Sequence, residues 1–277
     1  MTAMRKNIMK KITAVLCAAC ICTSVAPVNA FAEEEWNEEV EITAHRGNKA
    51  KAPENTMPAF EAAVASGADW IELDVSETKD GVLVVFHDED LQRITRNTSK
   101  VWEITYEDLR KLDAGSYFAP GYLNTPIPSL VEVLDYCKDR IKLNIEIKYN
   151  EHFSGDFYIK LVSMLQQREM TSQCMITSFD YNSILTVKLL DPSLETGWIT
   201  SRPVEQPELY VYADNFVLSI ELIEPDIVNR IHALGKEVIA WTINDQYSVE
   251  KCRKARADNL ITDRPDDIMR PKTYIRR

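Results

Sequence analysis

Several features that would place this chain in other protein classes are scarce in its sequence. Basic residues are outnumbered, with 32 Lys and Arg against 43 Asp and Glu, and the net charge of −11 argues against nucleic acid as a partner. No internal repeat, low-complexity tract or long linker is apparent. A chain of 277 residues with ordinary globular composition therefore predicts a single well-buried domain.

Long apolar runs are also missing, apart from one near the amino terminus. Four basic residues between positions 5 and 11 precede an apolar run over residues 12–25, and Ala30 and Ala32 follow it. The run is shorter than the roughly 20 residues that a membrane-spanning helix needs. This arrangement is typical of a secretory signal peptide, so we expect residues 1–32 to be removed and residues 33–277 to form a secreted or periplasmic domain without a membrane span. An uncleaved anchor is the alternative.

Cysteine is too sparse in the predicted mature domain to form a disulfide framework. Removal of the signal peptide leaves Cys137, Cys174 and Cys252, each in an apolar segment and none at the spacing of metal ligands. We expect buried structural thiols, with one disulfide as the alternative. The same removal leaves 28 basic residues against 43 acidic ones, a net charge of −15.

Short β-rich segments alternate with helical ones to the end of the chain, which predicts a parallel α/β sheet. Eight strand candidates suit a closed TIM-type (β/α)8 barrel. They are residues 41–44, 70–75, 142–147, 174–177, 195–199, 216–218, 237–241 and 259–261.

Capping residues and turn dipeptides mark the other elements. Pro near a helix start and Gly past its end predict helices at residues 59–66 and 226–234, and Asp180 as the opening residue predicts one at 181–190. The Asp80-Gly81 turn predicts that residues 82–86 form a hairpin with the second strand. Residues 91–128 form the longest irregular section, and we expect them to form a small insertion over the barrel mouth. A capping box of Thr105 and Asp108 predicts one helix in it, at 105–112.

Carboxylates interrupt two strands that should be apolar on both faces. Glu72 and Asp74 lie two residues apart, and Asn144, Glu146 and Lys148 repeat that spacing, so each set faces one side of its strand. A buried carboxylate costs several kcal/mol unless it is paired or bound to metal. Glu72, Asp74 and Glu146 therefore predict a site for one hard divalent cation, Ca²⁺ or Mg²⁺. A solvent-exposed strand face, or a structural pair with Lys148, is the alternative.

Two of the four histidines lie at the ends of strands beside these acids. His45 follows the first strand and His87 ends the hairpin strand. In phosphodiester cleavage one imidazole can take a proton from the attacking hydroxyl or water while the other gives a proton to the leaving alkoxide. Arg46 and Lys148 are candidates for holding the phosphate oxygens.

Seven motifs in this order resemble those of the glycerophosphodiester phosphodiesterase family, over residues 42–268. They are His45-Arg46-Gly47, Pro53-Glu54-Asn55-Thr56, Glu72-Leu73-Asp74-Val75 with Thr78-Lys79-Asp80-Gly81, His87-Asp88, Asn144-Ile145-Glu146-Ile147-Lys148, Trp241-Thr242-Ile243-Asn244 and Thr262-Asp263-Arg264-Pro265.

The resemblance implies a role for each matched residue. Glu72, Asp74 and Glu146 would be metal ligands, His45 and His87 the acid/base pair, and Arg46 and Lys148 phosphate ligands. Glu54 and Asn55 would pack beneath the site and orient His45 or Arg46. Trp241 and Asn244 would form the substrate-side wall, with a buried Trp and a helix N-cap as the alternative. The segment 262–265 is expected to close the last strand structurally.

The resemblance also implies hydrolysis of a small-molecule glycerophosphodiester to glycerol 3-phosphate and an alcohol. A lysophospholipase D-like enzyme or a glycerophosphate wall-polymer phosphodiesterase is an alternative on the same barrel. A non-catalytic phosphodiester-binding protein is a third, and the presence of both histidines and all three carboxylates argues against it. The sequence leaves open which alcohol leaves, which cation is bound and what the oligomeric state is. It also leaves open whether water attacks directly or a cyclic phosphate forms first.

Overall fold

The computed structural model describes residues 40–268, and strands of these residues form a closed barrel. The predicted signal peptide lies outside the described residues. In chain order the strands are β1 (Glu41–His45), β2 (Trp70–Glu77), β3 (Leu83–Val85), β4 (Lys142–Ile147), β5 (Cys174–Ser178), β6 (Glu195–Thr200), β7 (Asn215–Ser219), β8 (Glu237–Trp241) and β9 (Asn259–Thr262).

The barrel closes because β1 pairs in parallel with both β2 and β9. All strands except β3 run parallel, in the order β1-β9-β8-β7-β6-β5-β4-β2, which confirms the predicted eight-stranded TIM-type barrel. The strand β3 pairs antiparallel with β2 and confirms the predicted hairpin. Parallel strands carry their carboxyl ends to one rim, where sites of this fold are built.

Helices connect most of the strands. In the described part of the chain the α-helices are α1 (Met57–Ser66), α2 (Gln92–Thr95), α3 (Tyr106–Leu109), α4 (Leu130–Cys137), α5 (Phe157–Gln167), α6 (Tyr181–Leu190), α7 (Pro225–His232), α8 (Gln246–Ala255) and α9 (Pro265–Ile268). Short 3₁₀ turns cover Val101–Glu103, Pro120–Tyr122, Thr171–Gln173, Pro207–Leu209 and Ile220–Leu222. Within residues 40–268 no helix is both long and apolar enough to cross a bilayer.

The strict alternation of strand and helix fails at one connection. Between β6 and β7 the described chain forms only the 3₁₀ turn Pro207–Leu209, where the alternation had predicted a helix. Pro203 and Pro207 lack the backbone N–H that a continuous helix would need from residues inside it.

The two faces of the strands have different neighbours, as the alternation of side chains requires. Ile71, Leu73 and Leu143 point outward and are buried against the surrounding helices. A separate cluster fills the barrel with Trp70, Met175, Ile199, Val217, Ile239 and Ile261. The acids of β2 and β4 therefore share the inside of the barrel with an apolar plug. Cys137, Cys174 and Cys252 are free and buried, which confirms the prediction of structural thiols.

The insertion after the hairpin has its own small core. Leu91, Ile94 and Leu109 are buried together against Val84 and Phe86 of the hairpin region. The predicted helix at 105–112 keeps only one α-helical turn, α3, and the structure adds α2. Beyond Leu109 the backbone hydrogen bonds reach back three residues, from Lys111 to Asp108 and from Leu112 to Leu109, so the helix ends early.

Candidate active site

The acids predicted to face inward meet at the carboxyl ends of neighbouring strands. His45 of β1 lies beside Glu72 of β2, and Asp74 lies beside Glu146 of β4, in the register of the sheet. One carboxylate oxygen from each of Glu72, Asp74 and Glu146 lies within 4.8 Å of the others. Two oxygens bound to one Ca²⁺ are at most about 5 Å apart. The carboxylate spacing thus fits a single cation.

Burial supports the same interpretation of the acid cluster. The residues Glu72, Asp74 and Glu146 are 3%, 1% and 8% exposed, so the solvated strand face is excluded. Glu72 Oε1 is buried without a hydrogen-bond partner in the described structure. Burial has removed the water that would bind this oxygen, and no hydrogen bond replaces it, which costs free energy for a carboxylate. An oxygen-coordinating cation would satisfy it.

The two predicted phosphate ligands contact these carboxylates directly. Lys148 Nζ lies 2.5 Å from Glu146 Oε1 and 3.1 Å from Asp74 Oδ1. The backbone N–H of Arg46 donates to Glu72 Oε2 at 2.8 Å, and Arg46 Nε lies 3.3 Å from Asp74 Oδ2. The structural pair considered for Lys148 is therefore present. Although burial favours the neutral acid, Lys148 and Arg46 hold the pKa of Asp74 below its usual range.

His45 is oriented by a carboxylate from the opposite end of the chain. Its Nδ1 lies 2.6 Å from Asp263 Oδ1, and its Nε2 lies 3.9 Å from Glu72 Oε2. Burial lowers the pKa of His45, so the neutral ring donates Nδ1–H to Asp263 and leaves the Nε2 lone pair facing the acid cluster. Asp263 itself accepts from Asn244 Nδ2 at 2.9 Å and contacts Lys49 Nζ at 2.9 Å.

His87 is held in a similar way by its neighbour in sequence. Its Nδ1 lies 2.7 Å from Asp88 Oδ1, and burial lowers its pKa, so Nε2 is again the free nitrogen. Arg93 of the insertion donates to Asp88 Oδ2 through Nε at 2.6 Å. The prediction that His45 and His87 lie beside the acids at strand ends is thus matched by their positions.

The predicted supporting residues Glu54 and Asn55 contact Arg46 and Asp74, respectively. Glu54 Oε1 accepts from Arg46 Nη1 at 2.8 Å, so it orients Arg46 and not His45. Asn55 lies at φ 56°, in the left-handed region that Asn tolerates, and its Nδ2 donates to Asp74 Oδ2 at 2.7 Å. This local backbone turn is what aims the amide at the buried carboxylate.

An open cleft of about 390 Å³ leads outward from His87 and Lys148. Its other walls are Ser76, Asp88, Glu89, Glu146, Ile147, Tyr149, Asn150, Ser178, Phe179 and Asp180. Trp241 lies at the top of the barrel interior, where its ring meets Phe179 edge to face at 5.6 Å. Trp241 is therefore next to the cleft but is not one of its lining residues.

Two interpretations of the sequence were wrong. Asn244 is not a helix N-cap, because α8 is capped by the Asp245 side chain. Its side-chain amide instead makes two hydrogen bonds to Asp263. Nδ2 donates to Asp263 Oδ2, and Oδ1 accepts from the backbone N–H of Asp263. Asp263, expected to be structural, is part of the site. A carboxylate placed directly after the last strand was the one signal that could have identified it.

Comparisons with known proteins agree with this geometry. Residues 45–267 match the model of the "Glycerophosphoryl diester phosphodiesterase family". A glycerophosphodiester phosphodiesterase of Caldanaerobacter subterraneus is 33% identical, over 82% of this chain and 96% of its own, and one of Bacillus altitudinis is 34% identical over 81% and 95%. A phosphodiesterase of Oleispira antarctica, solved in complex with the product sn-glycerol-3-phosphate, is 29% identical with a TM-score of 0.78, covering 82% and 94%.

The acid cluster predicts that cation binding releases protons. Burial, opposed by Lys148, raises the pKa of Glu146 to about 7, and burial with the neighbouring carboxylates raises that of Glu72. A cation binds the deprotonated form, so its association constant should fall about tenfold per pH unit below 7 for each proton displaced. Calorimetry of Ca²⁺ and Mg²⁺ binding between pH 6 and 8, in buffers of different ionisation enthalpy, measures this.

The matched control is Glu89→Gln, which removes an exposed carboxylate at the edge of the same cleft. It should leave the proton release unchanged. Cation binding at pH 6 without proton release would contradict the raised pKa of the two glutamates.

Proposed function

This chain belongs to the glycerophosphoryl diester phosphodiesterase family, and on that premise we propose that it hydrolyses a small glycerophosphodiester to glycerol 3-phosphate and an alcohol, with one divalent cation, outside the cytoplasm. As a member it is a glycerophosphodiester phosphodiesterase, which rules out the non-catalytic alternative. One observation carries the finer proposal: three buried carboxylates lie beside two histidines, and an aspartate holds Nδ1 of each histidine.

The carboxylates supply the cation site in this proposal. Glu72, Asp74 and Glu146 would hold Ca²⁺ or Mg²⁺, which both prefer oxygen ligands. When bound, such a cation stabilises the negative charge that develops on the phosphate oxygens. The positive charges of Arg46 and Lys148, which otherwise neutralise these acids, are then available for the phosphate.

The two histidines carry the proton transfers. Each presents a free Nε2, because Asp263 holds Nδ1 of His45 and Asp88 holds Nδ1 of His87. One neutral ring takes the proton of the attacking oxygen at Nε2, and the other ring, protonated at both nitrogens, gives its Nε2 proton to the leaving alkoxide. The aspartates accept Nδ1–H of each ring, so that Nε2 is directed to the reacting oxygen, and they stabilise the positive charge of whichever ring is protonated.

The cleft supports a small polar leaving alcohol. Most of its lining residues are polar or charged, among them Asp88, Glu89 and Asp180, and an acyl chain would require an apolar stripe there. The likeness to a phosphodiesterase solved with sn-glycerol-3-phosphate supports retention of the glycerol phosphate half at the barrel mouth. Trp241, next to the cleft, suits the wall of that half.

The proposed reaction predicts release of glycerol 3-phosphate from glycerophosphocholine and glycerophosphoglycerol by the purified chain beginning at Glu33. EDTA should abolish the release, and Ca²⁺ or Mg²⁺ should restore it, because without a cation Arg46 and Lys148 stay paired with the acids and the charge on the phosphate oxygens is not stabilised. An enzyme-coupled assay for glycerol 3-phosphate measures both results. Activity that persists in chelator would contradict the cation role, and activity confined to lysophospholipids or wall polymer would contradict the substrate.

Removal of either imidazole should stop the reaction while leaving the barrel intact. We expect His45→Ala and His87→Ala each to lower kcat at least about 10²-fold, the usual contribution of a positioned acid or base. The control is His232→Ala: His232 ends α7, and its ring pairs with Asp258, which precedes β9 at the amino end of that strand, away from the acid cluster. It should turn over at close to the wild-type rate. Near-normal turnover in both site variants would refute the assignment.

The extracytoplasmic location is supported by the composition of residues 1–32 alone. A basic region, a short apolar run and small residues around Ala30 and Ala32 favour cleavage after Ala32. Amino-terminal sequencing of the protein from fractionated cells should therefore find a chain that starts at Glu33 outside the cytoplasmic fraction. A full-length chain in the membrane pellet would indicate an uncleaved anchor, and one in the cytoplasm would refute export.

A further inference from the structure

One arginine of the insertion reaches the site from outside the barrel. Arg93 lies on α2, the single turn that follows β3 and the His87-Asp88 pair. Its neighbours Leu91 and Ile94 are buried in the core of the insertion. The backbone that carries Arg93 is therefore anchored by apolar packing, and its guanidinium group extends from that anchor toward the barrel mouth.

The guanidinium of Arg93 binds two carboxylates at once. Nε donates to Asp88 Oδ2 at 2.6 Å and Nη2 donates to Asp88 Oδ1 at 3.1 Å. Nη2 also donates to Glu54 Oε1 at 2.7 Å, and Nη1 donates to Glu54 Oε2 at 3.2 Å. All three nitrogens of the planar fork are used, and each carboxylate is held through both of its oxygens.

Each of these carboxylates holds a different functional group. Asp88 Oδ1 accepts from His87 Nδ1 at 2.7 Å. Glu54 Oε1 accepts from Arg46 Nη1 at 2.8 Å, and Arg46 Nε lies 3.3 Å from Asp74 Oδ2. Arg93 is thus one hydrogen-bonded residue away from an imidazole and from a guanidinium that the proposed reaction uses.

We propose that Arg93 is a positioning residue that sets the orientation of His87 and Arg46 together, through Asp88 and Glu54. The inference rests on the roles proposed for His87 and Arg46 and adds the element that couples them. Like charges at Asp88 and Glu54 repel one another, and the Arg93 fork holds both through its hydrogen bonds. Without it the two carboxylates separate and take the imidazole and the Arg46 guanidinium out of alignment.

The geometry requires an arginine at this position. A lysine ammonium is a point charge without the planar fork, so it can neutralise one carboxylate but cannot bind both oxygens of two carboxylates at fixed angles. Loss of alignment at His87 should lower kcat, and loss of alignment at Arg46, which holds the phosphate, should raise KM. A change in both constants from one residue outside the barrel is the signature of the coupling.

The test compares Arg93→Gln and Arg93→Lys with Arg110→Gln. Arg110 is a second insertion arginine of similar exposure, and it pairs with Glu132. With glycerophosphocholine as substrate, we expect Arg93→Gln to lower kcat/KM about 10-fold to 100-fold, the usual cost of losing a residue that orients a ligand. Both kcat and KM should change, Arg93→Lys should recover part of the loss, and Arg110→Gln should match wild type.

A second comparison separates positioning from general stability. In the background of Asp88→Asn with Glu54→Gln, Arg93→Gln should have no further effect on kcat/KM, because the groups through which it acts are already removed. Equal effects of Arg93→Gln in both backgrounds, or a loss in Arg93→Gln no larger than in Arg110→Gln, would overturn the proposal. A wild-type enzyme inactive on glycerophosphodiesters would instead refute the proposed function.

Discussion

The repulsion among three buried carboxylates is the constraint on which the rest of this site depends. Glu72, Asp74 and Glu146 share the inside of a barrel whose remaining interior is an apolar plug. Charges removed from water in this way must be compensated nearby, or the groups become protonated. Both responses are present in the cation-free chain, since Arg46 and Lys148 contact the acids and burial raises the pKa of the two glutamates. The strand sequence thus brings together three carboxylates at the spacing of a single-cation site.

Charges alternate outward from this cluster in successive layers. The carboxylates contact Arg46 and Lys148, Arg46 contacts Glu54, and Glu54 contacts Arg93. His45 contacts Asp263, which is bound in turn by Lys49. Each layer fixes the geometry of the one inside it, because a hydrogen-bonded charge has one favourable orientation. The orientation of His45 and Arg46 is therefore fixed by residues that lie farther from the acid cluster.

The strands and the inward acids could be predicted from the sequence because both depend on local periodicity. Side chains two residues apart on a strand share a face, so Glu72 and Asp74 needed no knowledge of distant residues. The hydrogen bond between His45 and Asp263 could not be predicted from local periodicity, because 218 residues separate them. The bond from Arg93 to Glu54 spans 39 residues and joins α2 to the turn that precedes α1. Contacts of that kind exist only after the barrel has closed.

The missing helix between β6 and β7 also depends on contacts between side chains that local periodicity does not predict. Alternation predicts that a crossover exists, but its form is decided by what covers the outer face of the strands. There Trp198 of β6 stacks on Tyr210 at 3.9 Å, and Phe216 of β7 meets Tyr210 edge to face at 6.0 Å. These rings supply the apolar cover that a helix provides elsewhere in the barrel, so a short proline-containing turn suffices.

The division between strands and loops also explains why the reaction is better defined than the substrate. The three clustered carboxylates lie on β2 and β4, where sheet hydrogen bonds fix the backbone that carries them. The outer wall of the cleft comes instead from Tyr149, Asn150, Phe179 and Asp180, which follow the strands on connecting loops. Barrel enzymes change substrates by altering such loops while the strand ends keep the chemistry. The wall of this cleft therefore depends on loop residues, whose identities periodicity along the strands does not constrain.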